Sequence, residues 1–124
     1  MQNSDSKEFD MKVWYKDLEK RYADFPQHIQ ILNVVSDLEK ARNFWDRERA
    51  CALDHLYRAI ILIDFIVDDP RWKGMLKEVL RLREVMGSLI VGSQPLATLE
   101  NTIRATLLLN RRAYSTLYPS RIQK

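Results

Sequence analysis

A chain of 124 residues, 46% hydrophobic and 30% charged, has the balance of one globular domain and not of a disordered segment, and at this size it buries roughly two-thirds of its unfolded surface without metals or disulfides. The single cysteine, Cys51, rules out an internal disulfide, so an oxidising compartment adds nothing to the fold. Charge is unevenly divided: residues 1–69 carry 10 Lys/Arg against 14 Asp/Glu, net −4, and residues 70–124 carry 10 against 3, net +7.

The first residues, Met1-Gln2-Asn3-Ser4-Asp5-Ser6, lack the basic then apolar order of a signal peptide and are expected to be disordered. A helix is predicted over 7–23, with Met11, Trp14, Tyr15, Leu18, Tyr22 and Phe25 on one stripe. Asp24-Phe25-Pro26-Gln27 then offers a capping residue, a proline and a glutamine three residues after the cap. After Pro26 itself, residues 26–68 contain no glycine or proline. Unbroken they would form a helix of ~64 Å, about twice the length of its neighbours, so a break is expected. It falls either at the capping box Ser36-Asp37-Leu38-Glu39 or, the preferred site, at Asp46-Arg47-Glu48-Arg49, where four charges interrupt the apolar stripe.

Residues 59–67 are apolar on every side except at Asp64, the pattern of a buried helix. At less than half of the ~20 residues a membrane span needs, they are not a membrane segment. Leu62, Ile63 and Phe65 are assigned to the core. Asp69 and Pro70 form the cap and first position of a helix over 71–91. Gly92-Ser93-Gln94-Pro95 closes that helix and opens another over 95–117, along Leu96, Leu99, Ile103, Leu107, Tyr114 and Leu117. Pro119 ends it, leaving a tail at 119–124. These signals predict one all-α domain spanning 1–124, an antiparallel up-and-down helical bundle of four or five helices, in the cytoplasm and away from membranes.

Few constellations carry chemistry. Asp64 needs a partner cation or a polar edge shared with Asp68, because an ionised carboxylate alone in the core is costly; the other reading is an acid of raised pKa or a metal ligand. Cys51 and His55 share a helix face, but no Glu-x-x-His pair or second ligand cluster accompanies them, so no metal site is expected and Cys51 is read as a small core residue. The chain has no glycine-rich phosphate loop. No cofactor and no enzymatic activity are expected.

One short pattern points elsewhere. Arg49 and His55, separated by five residues within positions 49–57, resemble the active-site pattern of HEPN-type helical ribonucleases. The resemblance implies that this arginine and histidine act on an RNA phosphate and ribose hydroxyl. The residue after Arg49 is the apolar Ala50, where that pattern has a polar one.

The basic half supplies the candidate binding residues. Lys73, Lys77 and Arg81 recur every four residues, and Arg104, Arg111 and Arg112 add charge towards the C-terminus. Such a surface suits an acidic protein partner or a nucleic-acid backbone, with Trp72, Tyr114 or Tyr118 to stack on bases. Helix 71–91 carries more apolar residues than one stripe accommodates, and Leu107-Leu108-Leu109 are consecutive, so some face a further helix or a second chain. The expected role is a non-enzymatic interaction, assembly or regulatory module, homo-oligomeric, with nucleic-acid binding as the alternative and a helical ribonuclease after it.

Overall fold

The computed structural model describes residues 16–92 and 95–119. The expected disorder of 1–6, the helix start at 7–15, Ser93-Gln94 and tail positions 120–124 lie outside the described residues. Every regular element among the described residues is helical: α1 (16–23), α2 (Gln27–Phe44), α3 (Arg49–Val67), a 3-10 turn (Pro70–Met75), α4 (Leu76–Val91), α5 (Leu96–Leu107) and α6 (Arg111–Leu117). The all-α bundle is therefore observed, with more helices than the four or five expected.

The break in residues 26–68 falls at the charged site. Ser36 lies inside α2, and α2 ends where Trp45 turns its ring into the core while Asp46, Arg47 and Glu48 stay exposed. The charges there serve the helix end. Arg47 Nε donates to the Asn43 carbonyl at 3.3 Å and Arg49 Nε to the Trp45 carbonyl at 2.7 Å, satisfying acceptors that the helix itself leaves open.

Four boundaries differ from expectation. The helix predicted over 71–91 opens as the 3-10 turn and becomes α-helical only at Leu76. Asp24 does not cap α2; Pro26 occupies the cap position and no side chain bonds there. Gly92 ends α4 in extended backbone, φ −118°, instead of the left-handed conformation a C-terminal glycine usually adopts. The predicted helix 95–117 is two helices. Asn110 caps α6, its side-chain oxygen accepting from Ala113 N at 2.9 Å, and this local bond competes successfully with continuation of α5.

The core runs between α2 (Ile31, Val34, Val35, Leu38), α3 (Leu56, Ile63, Ile66), α4 (Val79, Leu82, Met86, Leu89) and α5 (Leu99, Ile103, Leu107). Buried Ala41, Ala52 and Ala59 allow α2 and α3 to approach closely. α2 packs against α3 and also, non-sequentially, against α5 and α6; α4 lies between α3 and α5. Leu62, Ile63 and Phe65 are buried as expected. Thr102 and Thr106, buried on α5, donate to carbonyls one turn back at 2.7 Å, so neither hydroxyl is left unsatisfied.

Candidate interaction surfaces

The described residues contain one buried polar cluster that joins α1, α2 and the 3-10 turn. Gln30 is 1% exposed. Its Nε2 donates to the Tyr22 carbonyl at 2.9 Å and to Asp69 Oδ2 at 3.2 Å, while its Oε1 accepts from Trp72 Nε1 at 2.7 Å. The Tyr22 hydroxyl in turn donates to the Gln30 carbonyl. Asp69 caps the 3-10 turn by accepting from Arg71 N at 2.9 Å, and the Arg71 side chain grips the same carboxylate from Nε and NH2, at 2.7 Å in the shortest contact. The guanidinium then reaches over to the carbonyls of Phe25 and Ala23, each at 2.9 Å. Hydrogen bonds from Arg71 hold the Asp69 carboxyl below its ordinary range. Burial, followed by the charges of Asp37 and Asp69, raises the Tyr22 phenol far above its ordinary value, so it remains a donor. The geometry is that of a structural staple whose donors and acceptors are already paired.

The residues weighed for catalysis are likewise engaged. Arg49 lies over the Trp45 ring, 4.1 Å from its centroid. His55 pairs through Nδ1 with Asp37 Oδ1 at 3.0 Å and stacks on Phe44, joining α3 to α2. Arg49 and His55 thus engage different partners, Trp45 for the arginine and Asp37 with Phe44 for the histidine. Cys51 is not a core residue: it is half-buried, and its Sγ donates to Glu48 at 3.0 Å. That bond raises the thiol above its ordinary range, the opposite of what an activated nucleophile requires. Asp64 takes the paired option, accepting from Arg83 Nε across the α3–α4 contact.

The six basic candidates are all exposed, and none forms an ion pair among the described residues. Lys73 sits in the 3-10 turn, so it does not continue the helical row of Lys77 and Arg81 on α4. Arg81 borders an apolar groove of about 290 Å³ between α4 and the end of α5, lined by Met75, Leu82, Ala105, Leu108 and Leu109 with Glu78 on its rim. Leu108 is 63% exposed there. Arg104 lies one turn before Leu108 on α5, and Arg111 and Arg112 open α6 just beyond Leu109. Of the expected base-stacking aromatics, Trp72 is 2% exposed with its indole N–H bonded to Gln30, so it cannot stack on a base, whereas Tyr118 is exposed and packs on Tyr114 at 4.9 Å.

No helix among the described residues is long and apolar enough to cross a membrane, and no group of three or more His, Cys, Asp or Glu among them is placed to hold a metal ion. The chain matches no known family, no curated protein and no solved structure.

Proposed function

We propose that this chain is a non-enzymatic interaction module whose α4–α5 groove receives an acidic, amphipathic helical segment of another protein. The observation that carries the proposal is an apolar groove bordered by Arg81 and Glu78, with Arg104, Arg111 and Arg112 within a few residues of its Leu108–Leu109 wall, none of these cations having a carboxylate partner among the described residues. An amphipathic helix matches both chemistries, placing its apolar side chains along Leu82, Ala105 and Leu108 and its carboxylates towards Arg81, Arg104, Arg111 and Arg112. A nucleic acid would use the cations but not the aliphatic lining, and Trp72 is committed to the interior, which favours the protein partner over the alternative.

Fluorescence anisotropy with a labelled acidic amphipathic peptide and with single- and double-stranded oligonucleotides separates the two. The expected result is peptide binding that weakens with salt, weakens on combined replacement of Arg81, Arg111 and Arg112 by Ala, and weakens independently on Leu108→Ser. Salt-sensitive binding of oligonucleotides alone, untouched by Leu108→Ser, overturns the proposal in favour of nucleic-acid binding.

A further inference from the structure

We infer that the open face of the α3–α4 pair docks a second copy of this chain, about a two-fold axis running along the two helices. This face is separate from the α4–α5 groove and does not depend on what the groove binds. Besides its buried row, α4 carries an outer row of Leu76, Leu80, Gly87 and Val91; Leu80 is 46% and Val91 87% exposed. On α3 the neighbouring row holds Tyr57, 54% exposed, and the half-buried Ile61, followed by Asp64 and Asp68. The Asp64–Arg83 pair crosses the middle of this face, with both side chains partly open to solvent.

Gly87 adds an independent mark. It sits inside α4 with an ordinary negative φ, and a Cβ built on it would meet nothing within 4 Å. Nothing among the described residues requires a glycine, which is a poor helix former. A bare stretch of backbone beside exposed Leu80 and Val91 suits the close approach of a side chain from outside.

Charge selects the occupant and its orientation. The exposed side of α3 bears Asp54, Asp64 and Asp68 against one cation, Arg58, whereas α4 presents Lys77 and Arg83, with Glu84 as the one acid on its outer side and Lys73 just before it. An axis along the helices lays α3 of each copy over α4 of the other, acidic on basic. An axis across them sets Asp64 against Asp64 of the second copy, a like-charge contact that opposes association. In the favoured arrangement the two Asp64–Arg83 pairs meet as a ring of four alternating charges. α4 returns along α3 after the 3-10 turn, so the 1.5 Å rise per residue sets Ile61 and Tyr57 about 5 and 10 Å from Asp64, and Gly87 and Val91 about 6 and 12 Å from Arg83, on the same side of the ring. Tyr57 and Ile61 of one copy thus meet Gly87 and Val91 of the other.

The test is solution mass by sedimentation and light scattering over a concentration series. Wild type is expected to be dimeric; Asp64→Arg and Arg83→Asp are each expected to weaken the dimer about tenfold or more, and an equal mixture of the two to restore the dimer mass, because each variant alone gathers four like charges whereas the mixed pair sets each arginine against an aspartate of the other copy. Should either charge variant lose its helical circular dichroism, Val91→Glu on the most exposed apolar side chain serves as the second variant and is expected to be a folded monomer. A wild type that stays monomeric at its highest soluble concentration overturns the inference. So does a dimer indifferent to Val91→Glu, or folded charge variants that fail to re-associate on mixing.

Discussion

Replacing Gln30 by Leu tests whether the polar cluster beneath α1 holds the fold together. The two side chains are close in volume, so the perturbation is mainly the loss of hydrogen-bonding groups. Three partners lose a bond: the Tyr22 carbonyl, the Trp72 indole N–H and Asp69 Oδ2. Asp69 retains Arg71 and the Tyr22 carbonyl retains the Phe25 N–H at 3.1 Å, leaving the indole as the group without a partner in a buried site. An unsatisfied buried group costs about 1–3 kcal/mol, so the substitution is expected to destabilise by about 1–3 kcal/mol. That is a substantial fraction of the ~5–15 kcal/mol that holds a domain folded. Urea unfolding followed by circular dichroism measures it, with the slope checked for constancy. Trp72→Phe removes the indole donor, so the double variant is expected to fall short of the sum of the single changes. A Gln30→Leu loss below about 1 kcal/mol, or strict additivity with Trp72→Phe, refutes the reasoning.

Two further outcomes follow from the same geometry. The Asp69 carboxyl is held below its ordinary value by Arg71, so its contribution is present above the unfolded-state pKa of about 3.9 and disappears as pH falls through the lower folded value; Asp69→Asn is expected to lower stability at neutral pH and to flatten the acid side of a melting-temperature profile. Asn110→Ala removes the α6 cap and is expected to cost about 1 kcal/mol in thermal or urea unfolding, with the helical signal before the transition lowered by less than the loss of α6.

Helical periodicity was sufficient for the class of fold, since the rows through Leu62, Ile63 and Phe65 and through Leu96, Leu99 and Ile103 are set by local spacing. Local chemistry also located the turn at Asp46–Arg49 and the Asp69–Pro70 cap. What it did not reveal depends on distant partners. Gln30 stands in Gln27-His28-Ile29-Gln30, which reads as an ordinary polar surface, and its burial is decided by Asp69 and Trp72, 39 and 42 residues away. Trp72 was read as a base-stacking residue for the same reason. Arg71 counts as one more positive charge in composition, yet it is a strut to the carbonyls of Ala23 and Phe25. Asn110, of a residue type that favours caps, was passed over because the three leucines before it extend the apolar stripe across the break. The groove at Leu108 is the other side of that break: the turn at Leu108–Leu109 leaves Leu108 outward instead of continuing the α5 row.

The sequence distance spanned by the Gln30 cluster sets an order of events during folding. Its bonds join positions 22–30 to 69–72, and closing so long a loop is entropically unfavourable until intervening contacts have shortened it. The α2–α3 hairpin, built from near neighbours in sequence, provides that shortening. Substitutions in the cluster should therefore accelerate unfolding and leave the folding rate nearly unchanged, whereas truncation of Leu38 or Leu56 should slow folding. The Trp72 indole proton, bonded to Gln30 and 2% exposed, is the atom whose hydrogen exchange is expected to report formation of the cluster.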